Sequence, residues 1–162
     1  MGQGTVEATN SGAGNPPQTG SRAVHRIALF GALSTFLLIV VGGLVTSKGV
    51  GMSVPDWPTT YGYNMFLFPY SKWVGGIFWE HSHRLIASGV GLIALILAAV
   101  ALCKEGRTWV KWLTIAAVIL VCVQGLLGGL RVTLYKDQIG IFHALLAQSL
   151  SLIHISEPTR PY

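Results

Sequence analysis

The stretch EHSHRLIASGVGLIALILAAVALC, residues 80–103, places several titratable side chains at the head of a long apolar segment. From Leu85 to Cys103 the segment carries no charge, and its length is close to the roughly 20 residues that an α-helix needs to cross a bilayer. Titratable side chains are costly within such a segment, so their presence there indicates a functional site rather than packing alone. His83 is therefore a candidate functional residue of a membrane-spanning helix.

Other apolar stretches of the chain predict that this helix belongs to a bundle. The stretches 27–45 and 112–130 are uncharged and long enough to span, whereas a fourth, starting at Ile139, is too short by itself. Of the 162 residues, 51% are hydrophobic and 10% are charged, compared with about 25% charged in a soluble domain. We predict an all-α polytopic membrane protein, a four-transmembrane-helix bundle over residues 25–149 with a truncated fourth helix. The predicted helices are 27–45, 76–103, 112–130 and 139–149.

The segments outside these helices predict the topology. Residues 1–24 are rich in small and polar residues, which predicts a disordered tail. Basic residues precede the first helix and are dense between the second and third, so these sides and the N-terminus are expected in the cytoplasm. The outer loop 46–75 contains prolines and glycines that exclude a regular helix, and many aromatic residues. It is either a lid over the bundle or an interfacial aromatic belt.

The net charge of +5 does not indicate a nucleic-acid partner. The Lys and Arg residues stand singly beside the predicted helices and form no basic run. Such residues are typical of topological anchors in a membrane protein. The lipid bilayer is therefore the expected partner of this chain.

Two histidines are predicted at similar depth in the bundle. His83 and His143 both lie in helices that enter from the outer side, about two turns and slightly over one turn from their starts. Imidazole is a normal axial ligand of haem iron, so this arrangement favours one haem held between two helices. Small residues on the same helical faces would leave room for a flat porphyrin. They are Ala87, Gly91, Gly140 and Ala147.

Charged residues surround the first of these histidines. Glu80 lies three residues before His83 on the same face, where a carboxylate orients the imidazole, relays protons or contacts substrate, or else stabilises the helix N-terminus. His81 points to a different face, so it and His83 cannot bind the same iron. Arg84 and Arg131 lie near the outer ends of their helices, where they pair with haem propionates or anchor lipid headgroups.

These residues, together with three motifs, resemble the haem A synthases, the family with bacterial CtaA members and mitochondrial counterparts. The motifs are GGLVT at 42–46, VPDWPTTYG at 54–62 and LGGLRV at 127–132. The resemblance covers roughly residues 26–148. It implies half of an eight-helix pseudo-symmetric protein that oxidises a methyl group of haem O to formyl by successive hydroxylations, which supplies haem A to terminal oxidases.

The resemblance also implies roles for particular residues. Glu80 would be the acidic catalytic residue, and His83 and His143 would bind the iron of haem O, the substrate. Haem B is expected in the other half of the protein. The implied location is the bacterial plasma (inner) membrane. Haem O synthase and terminal oxidase assembly proteins are candidate partners, and a homo-oligomer is left open.

The last segment of the chain does not fit the family. Residues 150–162, LSLIHISEPTRPY, resemble a translated sequencing adapter, so we interpret them as an adapter-derived artefact and exclude His154 from the site. The second half of the family's fold is then absent, and the fragment is expected to be inactive alone.

Two other functions fit the same histidines. One is a b-type electron-transfer cytochrome, which holds haem but modifies nothing. The other is a non-enzymatic oxidase-assembly or transport protein in which Glu80, His81 and His83 form a proton or metal relay.

Overall fold

The computed structural model describes residues 20–156, with side chains up to residue 149. Two short 3₁₀ turns, Met65–Leu67 and Tyr70–Lys72, lie in the long loop between the first two helices, and the described residues contain no β-strand. The four helices are α1 Arg22–Ser47, α2 Gly75–Lys104, α3 Thr108–Thr133 and α4 Asp137–Ser156. We call the end of the bundle that carries the loop, residues 48–74, the loop end, and the opposite end the tail end.

The helices form a bundle in which α2 and α4 lie diagonally opposite. Helix α1 packs against α2 and α4, and α3 packs against the same two helices. Many buried contact residues are small, which lets the helix backbones approach closely. They include Ala28, Gly31 and Thr35 of α1, Ala94 and Ala98 of α2, and Ala117 of α3.

The outer surface of the bundle is apolar. Large side chains such as Phe36, Leu92 and Ile119 are about 60% exposed, as expected of residues that face lipid. Three of the four described helices, α1 to α3, are long and apolar enough to cross a membrane. The predicted all-α polytopic membrane architecture is confirmed.

The helices extend further than the uncharged stretches from which they were predicted. Helices α1 to α3 begin or end up to five residues beyond the predicted bounds, because long basic side chains can remain in a helix while their charges reach water. Residues 22–24 of the predicted tail are the first residues of α1, and Val24 is buried; residues 1–19 lie outside the described part.

Helix α4 is also longer than predicted. It continues to Ser156 instead of ending at about 149, so its last residues fall within the predicted artefact 150–162. Residues 157–162 lie outside the described part, and the adapter origin of the segment remains a prediction.

Glu105, in the connection between α2 and α3, forms hydrogen bonds that join this connection to the start of α1 at the tail end. Its side chain is buried, and its carboxylate accepts hydrogen bonds from the Ser21 N–H at 3.1 Å and from the Arg107 side chain at 3.0 Å. Burial raises the pKa of this carboxyl, but the bonds from Arg107 and Ser21 outweigh it and hold the pKa at about 2. The start of α1 is thereby fixed to the α2–α3 connection.

We expect Glu105→Gln to destabilise the bundle by about 1–3 kcal/mol, because the amide loses the charge that strengthens these hydrogen bonds. The thermal midpoint in detergent micelles, followed by helical circular dichroism, measures this loss. The difference from wild type should be fully present above about pH 4.5 and shrink as the pH falls towards 2, because the folded pKa lies below its ordinary value of 4.5.

Asp137→Asn is the matched control, since the Asp137 side chain is 76% exposed in its ion pair with Arg131 and such pairs contribute about 0–1 kcal/mol. Equal effects of the two substitutions would contradict the role given to Glu105.

Candidate functional site

His83 and His143 both lie at the loop end, on the two diagonally opposite helices of the bundle. His83 lies eight residues into α2 and His143 six residues into α4, which places them roughly 12 Å and 9 Å below the first residues of their helices. The two imidazoles are close enough to interact electrostatically. Their role as iron ligands remains a prediction, but the structure brings them together.

Glycines of the neighbouring helices border both imidazoles. A Cβ atom on Gly42 of α1 would lie 3.0 Å from Cε1 of His83, and one on Gly128 of α3 would lie 3.5 Å from Cε1 of His143. The Nδ1 atoms of both histidines are buried without a hydrogen-bond partner. Two half-buried imidazoles, each with a buried and unpartnered nitrogen atom, therefore lie against helix backbones.

These glycines are not the ones that helical periodicity selects. The sequence predicts that Gly91 and Gly140 flank the histidines, but Gly91 faces Val121 of α3 and Gly140 faces the Arg131 side chain. Periodicity within one helix cannot tell which neighbouring helix covers a side chain. The available signal was the position of Gly42 and Gly128 inside the GGLVT and LGGLRV motifs.

Glu80 contacts the loop rather than His83. Its buried carboxylate accepts a hydrogen bond from the Val54 N–H at 2.9 Å through Oε2 and forms an ion pair with Arg84 at 2.6 Å through Oε1. Both oxygen atoms are thus engaged within the protein. This arrangement gives Glu80 a direct role in holding the loop.

Arg84 binds the same part of the loop through three backbone carbonyls, and we call these contacts the Arg84 clamp. Its Nη1 donates to the oxygens of Asp56 at 2.6 Å and Thr59 at 3.2 Å, and its Nη2 donates to the oxygen of Val54 at 2.9 Å. A haem propionate would have to displace one of these bonds to reach these nitrogens. The sequence prediction missed this clamp, although the spacing of Glu80 and Arg84 by four residues is typical of an ion pair on a helix.

Asp56 stabilises the same loop segment through hydrogen bonds to other residues of the segment. Its carboxylate accepts hydrogen bonds from the N–H groups of Tyr61 at 2.7 Å and Gly62 at 2.9 Å and from Oγ1 of Thr59 at 2.5 Å. Burial raises the pKa of Asp56, but the bonds from Gly62, Thr59 and Tyr61 outweigh it and hold the pKa below its usual range. These bonds fix a turn in which Tyr61 has a φ of 50° and Gly62 a φ of 77°.

Arg131 is the second cation at the loop end. Its guanidinium lies between the backbones of Gly51 and Gly140, where added Cβ atoms would come within 3.0 Å and 2.9 Å of its nitrogens. It pairs with Asp137 at 3.2 Å and acts electrostatically on both histidines. Arg131 is therefore close to the histidine pair and is bound to an exposed carboxylate.

His81 is separated from His83 by its contacts with the loop. It is fully buried, its Nδ1 lies 3.2 Å from Oγ1 of Thr60, and its ring packs against Phe68 and Trp73. Over the part of the chain that the structure describes, no group of three or more His, Cys, Asp or Glu residues could hold a metal ion. His81 thus contacts the loop, whereas His83 lies against α1.

A family model for cytochrome oxidase assembly protein, COX15-CtaA, matches residues 68–154, more than half of the chain. The chain belongs to the COX15-CtaA family. The match includes both histidines, Glu80, Arg84 and Arg131. It confirms the family that the sequence motifs indicate.

Two curated relatives in this family are named "Heme A synthase". The protein of Shouchella clausii (strain KSM-K16) is 28% identical over 109 residues, which cover 66% of this chain and 35% of the relative. The protein of Shewanella oneidensis (strain MR-1) is 32% identical over 139 residues, which cover 75% of this chain and 40% of the relative. The chain thus matches well under half the length of either relative. No solved structure matches it.

We expect Arg84→Lys to loosen the loop of this COX15-CtaA member, because one ammonium group cannot reproduce the bonds of a guanidinium to three carbonyls. Each lost bond to a charged donor is worth about 1.5–3 kcal/mol, so amide hydrogen exchange in residues 54–62 should accelerate at least about tenfold. Mass spectrometry of the detergent-solubilised chain measures the exchange.

Arg26→Lys is the matched control, because Arg26 is an exposed residue of α1 at the tail end and should leave the loop unchanged. Unaltered exchange in Arg84→Lys would show that the carbonyl contacts do not hold the loop.

Proposed function

We propose that this chain forms the haem O site of a haem A synthase, with His83 and His143 as the two axial ligands of the iron. The observation that carries the proposal is the pair of half-buried imidazoles on diagonal helices, each with a buried, unpartnered Nδ1 atom and each beside a glycine. Two imidazoles are a complete axial ligand set for haem. A site of this kind needs no third metal-binding side chain.

The proposed reaction is the oxidation of a methyl group of haem O to formyl by successive hydroxylations, for the assembly of terminal oxidases. The names of the two relatives and of the family support it. Because the chain spans only 35% to 40% of the length of those relatives, we propose that activity requires a further half that carries haem B, and that this fragment is inactive alone.

The proposed location is the bacterial inner membrane, with the N-terminus in the cytoplasm. Haem O synthase and oxidase assembly proteins remain proposed partners.

The residues around the histidines have separate tasks in this proposal. Arg131 is the proposed partner of a propionate, because it already binds a carboxylate, that of Asp137, which is 76% exposed and can be exchanged for another. Glu80 and Arg84 hold the loop over the loop end of the bundle. Glu80 is therefore needed for turnover as a positioning residue, which keeps the covering loop in place and water out of the site.

The ligand pair can be tested on the chain itself with haem B as the probe. We expect the detergent-solubilised chain to bind haem B with the absorption spectrum of a low-spin iron held by two imidazoles. His83→Ala and His143→Ala should each abolish that spectrum and lower the affinity by at least about tenfold, because one iron–nitrogen bond is lost. His25→Ala, at the tail end in α1, is the matched control and should bind as wild type does. An unchanged spectrum in either of the first two variants would remove that histidine from the ligand set.

The reaction can be tested with the full-length protein, expressed in a host that makes haem O, by identifying the extracted pigment by mass. Haem A or its hydroxylated precursor supports the proposal. Haem B alone would indicate a b-type cytochrome instead, and no porphyrin would contradict both.

Glu80→Ala should abolish formyl formation while some haem remains bound, because the loop is released but both histidines stay. Normal haem A output from that variant would show that Glu80 is not required.

A further inference from the structure

We propose that Trp57 forms the loop-end wall of the haem slot and determines how the flat macrocycle lies between the histidines. This inference rests on the proposed function, since it assigns a contact residue to the same site. It also explains how Glu80, which does not contact the imidazole of His83, can affect chemistry there.

The indole of Trp57 packs against the backbone of α3 at Gly129, and we call this contact the seat. A Cβ atom at this position would lie only 2.7 Å from Cε3 and 2.8 Å from Cε2 of the ring, and real Cβ atoms do not approach other atoms so closely. Gly129 is therefore required for the observed position of Trp57. Gly125, one turn earlier on the same helix, has open space at the corresponding point.

The seat lies one residue along α3 from the contact of this helix with His143. Gly128, the residue before Gly129, borders the ring of His143, and consecutive Cα atoms are about 3.8 Å apart. Helix α3 runs towards the loop end, so Trp57 lies on the loop-end side of that contact. The proposal assigns the indole to the loop-end edge of an iron porphyrin held by His83 and His143.

The Arg84 clamp holds the loop backbone on both sides of Trp57. The carbonyls of Asp56 and Thr59, which lie on either side of the Trp57–Pro58 pair, both accept hydrogen bonds from Arg84. Trp57 is still 41% exposed, so part of the residue is available to a ligand. Aromatic rings stack on flat conjugated ligands, and such a contact is worth about 0.5–1.5 kcal/mol beyond the area it buries. Glu80, through Arg84, thus positions Trp57.

The matched pair Gly129→Ala and Gly125→Ala tests the seat, and Trp57→Ala tests the ring, each by titration of the chain with haem B. We expect Gly129→Ala and Trp57→Ala to weaken binding by about threefold to tenfold and to shift the visible bands of the bound haem, because both remove the stacked ring. Gly125→Ala should match wild type. The double variant Gly129→Ala/Trp57→Ala should bind no more weakly than either single variant, since the two residues act as one unit.

Trp57→Phe keeps a ring at the seat and should recover most of the affinity and the band positions. If Gly129→Ala fails to fold, Trp57→Ala and Trp57→Phe carry the test, because they remove atoms and create no overlap at the seat. Wild-type affinity and bands in Trp57→Ala would overturn the assignment of the wall while leaving the histidine ligands in place. A wild-type chain that does not bind haem B would overturn both proposals.

Discussion

A buried ion pair between Glu80 and Arg84 holds the loop end of this bundle in its observed form. An ion pair removed from water is stabilising only if its remaining donors and acceptors are also satisfied. Here Glu80 receives the Val54 N–H, and Arg84 donates to the carbonyls of Val54, Asp56 and Thr59. Removal of one partner of such a pair costs about 3–5 kcal/mol, because the other charge is left uncompensated. The pair and the loop segment therefore form one structural unit.

The same helical turn that carries the ion pair also carries His83. Glu80 and Arg84 direct their side chains to the loop, whereas His83 lies against Gly42 of α1 and interacts electrostatically with His143. The position of the histidine relative to the loop is thus fixed by three residues of α2 within five positions. In a member of a cytochrome oxidase assembly family, the proposed haem site thus lies at the same end of the bundle as a loop whose path is set by hydrogen bonds.

The sequence predicts the bundle well because its signals are local. An uncharged stretch such as 85–103 is sufficient to predict α2, but not its ends, because Lys104 remains helical beyond the last apolar residue. The motifs around Glu80, His83 and His143 also indicate the family correctly. The contacts of Gly42 and Gly128 with the imidazoles could not be predicted from periodicity, because they depend on which helices are neighbours. The three carbonyls bound by Arg84 belong to a loop without periodicity, so their positions become known only from the fold.

We propose that His83 and His143 hold one iron porphyrin between α2 and α4. Pulsed electron paramagnetic resonance of the ferric haem B complex, prepared from a chain labelled with ¹⁵N in all its histidines, tests it most directly. We expect low-spin iron with two strongly coupled histidine nitrogens. One such nitrogen, or none, would contradict it.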